Sequence, residues 1–71
     1  MQPEIVCMGE PMIELNQTDP KEKRYLRGFG GDTSNAAVAA ARQGSKVAYL
    51  TAVGQDVAGE RFLDLWRGEG I

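Results

Sequence analysis

The residues best suited to chemistry lie in one segment, Arg27 to Asn35, with the sequence R-G-F-G-G-D-T-S-N. Its glycines let a ligand approach the backbone closely because they carry no side chain. A helix that starts here would offer N–H groups as donors to ligand oxygens. Asp32 and Asn35 stand three positions apart, so both can project from one helix face toward one ligand. A carboxylate that accepts, beside an amide that donates and accepts, suits hydroxyl groups.

The same segment does not match the sequence fingerprints of nucleotide phosphate sites. The Walker pattern ends in G-K-[ST], and no lysine stands in the segment. The dinucleotide pattern G-x-G-x-x-G matches Gly28 and Gly30 but meets Thr33 at its third glycine. We therefore expect no pyrophosphate site here. Spacing alone leaves a second interpretation open, in which Asp32 or Thr33 caps the helix and Asn35 bonds to nearby backbone.

Two residues outside this segment are further candidates. Glu14 would accept a hydrogen bond from a hydroxyl group if its strand ends at the same cleft, although a solvated glutamate on a strand fits the pattern equally well. Cys7 stands in an apolar run and is expected to be a core residue. With one cysteine and no histidine, the sequence excludes an internal disulfide and a Cys/His metal site. We predict no metal site and no catalytic residue.

Apolar patterning predicts the elements that position these residues. Continuous or alternating apolar runs bounded by glycine, proline or charged residues predict strands at Ile5 to Met8, Met12 to Leu15, Tyr25 to Phe29 and Lys46 to Val53. The first of these runs reads as a strand buried on both faces. Helices are expected at Ala36 to Gln43, after capping residues between Asp32 and Asn35, and at Val57 to about Arg67, after Asp56. The alternation indicates an α/β protein.

Length and charge limit the function classes. A chain of 71 residues forms one domain at most and buries a small core, so marginal stability is expected in isolation. A net charge of −2 argues against nucleic acid or an anionic membrane as the partner. No apolar run approaches the roughly 20 residues that span a bilayer, and no signal peptide is recognisable. These features predict a cytoplasmic protein.

Three ordered segments resemble the ribokinase-like (PfkB-type) carbohydrate kinases. Gly30 to Gly44, with the sequence G-G-D-T-S-N-A-A-V-A-A-A-R-Q-G, is similar to the family's first signature of paired glycines, an asparagine and an alanine-rich helix ending in A-R-x-G. Gly9 to Leu15, G-E-P-M-I-E-L, and Thr51 to Phe62, T-A-V-G-Q-D-V-A-G-E-R-F, resemble the family in the expected order. The resemblance covers nearly the whole chain.

This resemblance implies a fold and a reaction. The fold would be a ribokinase-like three-layer α/β/α sandwich with a β lid, of which residues 1–71 would form the N-terminal portion and Tyr25 to Phe29 a lid strand. The reaction would be phosphorylation of a hydroxyl group on a sugar or sugar acid by ATP. A lid over the sugar would exclude bulk water as a competing phosphoryl acceptor.

The resemblance also implies which residues bind the substrate. By position they would be Gly30, Gly31, Asp32, Asn35 and Glu14. The aspartate after the paired glycines, together with G-E-P-M-I-E-L, most resembles 2-keto-3-deoxygluconate kinases, because ribokinases typically carry lysine at the place of Asp32. Fructokinase and ribokinase-type specificity stay open, since groups that recognise a sugar-acid carboxylate would come from later segments.

One family motif has no counterpart in this sequence. In these kinases a G-A-G-D motif, far toward the C-terminus of a longer chain, supplies the catalytic base and the anion hole. We therefore predict that the C-terminal catalytic portion is absent, that the chain alone is inactive, and that ATP and Mg²⁺, the cofactors of the full-length family, do not bind it strongly. The alternative from another class is a non-catalytic fragment, a homo-oligomer that buries the stripe from Phe62 to Trp66 and unpaired sheet edges on a copy of itself.

Overall fold

The structure, a computed structural model, describes residues 2–71, and Met1 lies outside the described part. Its elements in chain order are β1 (Ile5–Met8), β2 (Met12–Gln17), β3 (Tyr25–Gly30), α1 (Asp32–Arg42), β4 (Val47–Leu50) and α2 (Val57–Gly68). The strands pair as β1 with β4 and β2 with β3. Each predicted strand and helix is present, and the α/β class is confirmed. The strand predicted over Lys46 to Val53 is shorter, because the chain leaves the sheet after Leu50.

The parallel pair of β1 and β4 carries both helices on one face. Cys7 lies opposite Tyr49 in the register, and side-chain alternation puts both on the same face as Val47. The hydroxyl of Tyr49 shares a hydrogen bond with Thr33 of α1, and its ring packs against Trp66 of α2. The two helices therefore cover the face to which Tyr49 points.

The opposite face of this pair is exposed. Val6, Met8 and Leu50 keep 58%, 71% and 61% of their surface accessible. The prediction that the first strand is buried on both faces is therefore wrong for the described residues, because no described element packs on this second face.

The antiparallel pair of β2 and β3 forms a hairpin that packs on α2 through one end. Ile13 lies opposite Phe29, and the ring of Phe29 meets the ring of Phe62 at 5.1 Å between centroids in an edge-to-face arrangement. The connecting loop closes where the N–H of Thr18 donates to the carbonyl of Arg24 at 3.0 Å. The charged loop between the two strands therefore runs from Thr18 to Arg24.

Helix α1 begins four residues earlier than the sequence indicated. Its N-cap is Gly31 at φ 99°, and among the described residues no side chain caps it. The expectation that Asp32 or Thr33 caps the helix is therefore wrong, because Asp32 is itself the first helical residue. At the other end Gly44, with φ 95°, follows the C-cap Gln43, which confirms the predicted stop.

Helix α2 starts and packs as its pattern predicts. Asp56 is the N-cap, and its Oδ1 accepts from the N–H of Gly59 at 2.8 Å. Phe62 and Trp66 are 3% and 5% exposed, against the sheet and the hairpin. This internal burial contradicts the idea that the stripe from Phe62 to Trp66 binds a second copy of the chain. Within residues 2–71, neither helix is long and apolar enough to cross a membrane.

Candidate functional site

The carboxyl ends of β1 and β4 meet the start of α1, the edge at which open α/β sheets bind ligands. Gly9 follows β1, and its carbonyl accepts from the Thr51 hydroxyl at 2.6 Å just beyond β4. A Cβ on Gly9 would overlap the side chain of Thr33, so the glycine lets α1 approach this edge. The Thr33 hydroxyl lies 2.5 Å from that of Tyr49. The backbone that follows β1 is thus in direct contact with the start of α1.

The paired glycines turn the chain from β3 into α1. Gly31 has φ 99°, a region that L side chains rarely adopt, and a Cβ there would lie 2.7 Å from the carbonyl oxygen of Glu10. Its carbonyl accepts the first helical hydrogen bond, from the N–H of Asn35 at 2.9 Å. The preceding N–H groups of the first turn have no partner within the helix and point toward the region in front of α1. The junction therefore offers unpaired donors at the start of α1, and Gly31 lets this start lie directly against the backbone of Glu10.

Glu14 lies over the glycine face of the hairpin. Its register partner on β3 is Gly28, and its carboxylate also reaches across the diagonal to Gly30. A Cβ on Gly30 would lie 2.5 Å from Glu14 Oε1 and 2.6 Å from its Cγ. The structure therefore brings Glu14 together with the first of the paired glycines, as the candidate site requires.

Asp32 and Asn35 are exposed one turn apart on α1. Asn35 lines an open groove of about 520 Å³ with Phe29, Val38 and Leu65. Because Phe29 and Gly30 point to opposite faces of β3, this groove lies on the other side of the strand from the Glu14 carboxylate. The structure thus places all five predicted residues around one junction, with Asn35 and Glu14 on different sides of it.

Sequence reasoning missed the residues that hold this junction in place. It treated Ser34 as one of several capping types, but Ser34 is 1% exposed and its Oγ accepts from Trp66 Nε1 at 2.9 Å. It assigned Tyr49 to a strand without a role, yet Tyr49 bonds to Thr33. The available signal was the run of two hydroxyl residues between Asp32 and Asn35, which offers two bonding groups on adjacent faces of the helix.

An ion pair joins the far ends of the two helices, away from the glycine junction. Arg42 donates from Nε to both carboxylate oxygens of Glu69, at 3.0 and 3.1 Å, and from Nη2 at 2.5 Å. The hydrogen bonds from Arg42 and its charge hold the pKa of Glu69 below its ordinary value, while partial burial opposes this shift. The same pairing raises the pKa of Arg42. This pair ties the C-terminal end of α1 to that of α2.

Comparison with known proteins shows the family to which this chain belongs. Residues 2–71 match the family described as pfkB family carbohydrate kinase. The chain is 43% identical over 75 aligned positions to 2-dehydro-3-deoxygluconokinase of Escherichia coli strain K12, a match that includes 100% of this chain and 23% of the relative. This chain therefore spans about a quarter of the length of that protein.

Two solved structures share the fold. Fructokinase of Halothermothrix orenii superposes with a TM-score of 0.85 at 35% identity, over 94% of this chain and 26% of that one. Fructokinase of Xylella fastidiosa, solved with bound ATP, superposes with a TM-score of 0.82 at 27% identity, over 99% of this chain and 24% of that one. The expected ribokinase-like fold and the resemblance to carbohydrate kinases are confirmed. With a match across residues 2–71 and that identity to a sugar-acid kinase, the chain belongs to the pfkB family of carbohydrate kinases.

Proposed function

We propose that this chain is the N-terminal portion of a kinase that transfers the γ-phosphate of ATP to a hydroxyl group of 2-keto-3-deoxygluconate or a related sugar. The observation that carries the proposal is the junction at Gly30 and Gly31. It sets the start of α1 against the backbone of Glu10 while the Glu14 carboxylate lies over Gly30. The named relative acts on a sugar acid of this class. We place the enzyme in the cytoplasm.

In this proposal the residues of the junction bind and orient the sugar. Asp32 and Glu14 accept hydrogen bonds from hydroxyl groups, and the Asn35 amide donates or accepts according to the group that faces it. Gly30 and Gly31 serve the sugar by letting the Glu14 side chain and the backbone of Glu10 pack closely against the junction, where a Cβ would clash with them. Strand β3 serves as a lid strand, whose closure excludes water from the transferred phosphate.

The described residues do not fit a magnesium ion. Magnesium needs several oxygen ligands at one point, and among residues 2–71 no group of three acidic or cysteine side chains is placed to hold a metal. ATP is the phosphate donor of this kinase family, but the segment from Arg27 to Asn35 lacks the lysine of a phosphate-binding loop. We therefore assign binding of both cofactors to other parts of the kinase and expect the 71-residue chain alone to be inactive.

Substitution of Asp32 and Asn35 in the complete kinase tests the site. Asp32→Asn removes a charged acceptor and should raise the KM for the sugar about 10- to 100-fold, and Asn35→Ala should raise it about five-fold. Asp64→Asn, at an exposed position of α2 with one 3.9 Å ion pair, is the matched control and should leave that KM unchanged. Equal KM values for all three variants and the parent would refute the assignment.

Fructokinase specificity is the second candidate, because the two fructokinase structures share this fold. The two substrates differ in one group that matters here, since fructose lacks the carboxylate of a ketodeoxy sugar acid. Steady-state assays of the complete kinase with 2-keto-3-deoxygluconate, fructose and ribose separate the candidates. We expect the highest kcat/KM with the sugar acid.

A further inference from the structure

The first turn of α1 is held from outside at its two middle positions. Thr33 and Ser34 lie between Asp32 and Asn35, the two proposed sugar-binding residues of this turn. The Thr33 hydroxyl shares a 2.5 Å hydrogen bond with Tyr49 of β4, and Ser34 Oγ accepts a 2.9 Å hydrogen bond from the indole of Trp66 in α2. Two other elements of the fold therefore fix this turn.

The two hydrogen-bond partners of this turn are themselves packed together. The rings of Tyr49 and Trp66 lie 4.8 Å apart between centroids, tilted by 55°, and Trp66 also stacks on Phe62 at 5.5 Å. Trp66 and Ser34 are 5% and 1% exposed, so water cannot replace their hydrogen bond without opening the core. We call Tyr49 and Trp66 the aromatic bracket.

The turn has no comparable support of its own. Its N-cap is Gly31, which has no side chain, and no side chain among residues 2–71 caps α1. Gly31 is placed by the close approach of the Glu10 backbone, but it offers no side-chain hydrogen bond to the turn. The two side-chain hydrogen bonds that hold this turn therefore both come from the aromatic bracket.

We propose that Tyr49 and Trp66 are positioning residues for the sugar, which orient the first turn of α1 so that Asp32 and Asn35 meet the substrate hydroxyl groups. This inference rests on the proposed function of the junction and adds residues that do not touch the sugar. Small displacements of binding groups reduce binding steeply because hydrogen bonds depend on distance and angle.

The test is a double-mutant cycle in the complete kinase. Tyr49→Phe removes one hydroxyl and keeps the ring on Trp66, while Thr33→Val removes its partner and keeps a branched side chain against Gly9. Each should raise the KM for the sugar about three- to ten-fold, the worth of one hydrogen bond, with the KM for ATP unchanged. The double variant should be no worse than the poorer single variant, because both remove the same interaction. Tyr49→Phe with an unchanged KM for the sugar would overturn the inference.

A destabilisation control separates positioning from folding. Val47→Ala leaves a cavity beneath the same helices, at a side chain that is 1% exposed, but it removes no hydrogen bond to α1. It should lower Tm and leave the KM for the sugar unchanged, whereas an equal rise in KM would show that any loss of stability has this effect. If Asp32→Asn raises the KM but Tyr49→Phe does not, the bracket fails and the proposed function stands. If Asp32→Asn has no effect either, the proposed function itself fails.

Discussion

Two glycines of β3 share a face, yet they stand in different surroundings. A Cβ on Gly30 would lie 2.5 to 2.8 Å from Oε1, Cγ and Cδ of Glu14, whereas a Cβ on Gly28 would lie 3.6 Å from the Asn16 amide and 3.8 Å from Glu14 Oε2. Glu14 is exposed and can move to another rotamer, so Gly30→Ala should cost little stability while displacing the carboxylate. We expect the KM for the sugar to rise about ten-fold, as for a lost charged hydrogen bond.

Gly28→Ala is the matched control for this substitution. It adds the same methyl group on the same face of the same strand at ordinary contact distances. Steady-state kinetics should show a much smaller change in KM than for Gly30→Ala, and thermal unfolding should show similar Tm values for both. Equal KM values for the two variants would mean that the position of Glu14 does not matter for binding.

At the residue scale, sequence reasoning found the junction but misplaced its cap. The paired glycines and the residues after them were visible because glycine has a specific backbone use and hydroxyl or acidic residues favour helix starts. Whether Asp32 or Gly31 is the N-cap depends on the φ of Gly31, which the close approach of Glu10 and Pro11 requires. The bond from Trp66 to Ser34 joins positions 32 residues apart, so no local pattern could reveal it.

At the element scale, the start of α2 rests on one capping residue. The Asp56 carboxylate accepts from the N–H of Gly59, and it also lies near the positive end of the helix dipole. Asp56→Ala should destabilise the fold by about 1 kcal/mol, and the amide of Gly59 should exchange faster with solvent. Gln55→Ala, at the exposed neighbouring position, is the control and should change neither quantity. Chemical denaturation and hydrogen exchange by NMR measure both.

The ion pair between the helix ends predicts that the fold loses stability at acid pH. Arg42 lowers the pKa of Glu69 in the folded state. The contribution of this ion pair to stability is therefore fully present above pH 4.5, the ordinary pKa of Glu69, and is lost as pH falls through the lowered pKa. Glu69→Gln should be less stable than the parent at pH 7, and the difference should shrink below about pH 4. Denaturant unfolding at a series of pH values measures it, and a difference that grows toward low pH would contradict the assignment.

The order of strands and helices was predictable from apolar runs and breakers, but the burial of β1 was not. The run from Ile5 to Met8 is apolar at every position, which is typical of a strand covered on both faces. In the described chain, Cys7 on the helix-facing side is half-buried, while Val6 and Met8 on the other face are exposed. The apolar sequence of a strand indicates that other elements cover both of its faces, but it does not show which elements these are.

At the scale of the whole molecule, the described chain leaves more surface exposed than a compact domain of its size. Its accessible surface is 5365 Å², about a quarter more than the roughly 4,300 Å² expected for a folded 7.7 kDa protein. Its longest and shortest dimensions are 48 and 19 Å. Part of the excess is the face of the parallel pair formed by Val6, Met8 and Leu50, which we call the bare sheet face. Contiguous exposed apolar side chains beside unpaired strand edges favour association.

We therefore expect the isolated 71-residue chain to self-associate through the bare sheet face. Replacing Met8 and Leu50 together by lysine would put two like charges at 71% and 61% exposed positions, and burying them against a second copy would be costly. Size exclusion with light scattering should show a shift from oligomer to monomer. Leu26→Lys, at a position 65% exposed on the hairpin, is the matched control and should leave the oligomer intact. A monomeric parent chain would contradict the expected self-association. Dissociation of the oligomer by Leu26→Lys would place the contact on the hairpin, because the lysines at positions 8 and 50 weaken contacts through the bare sheet face alone.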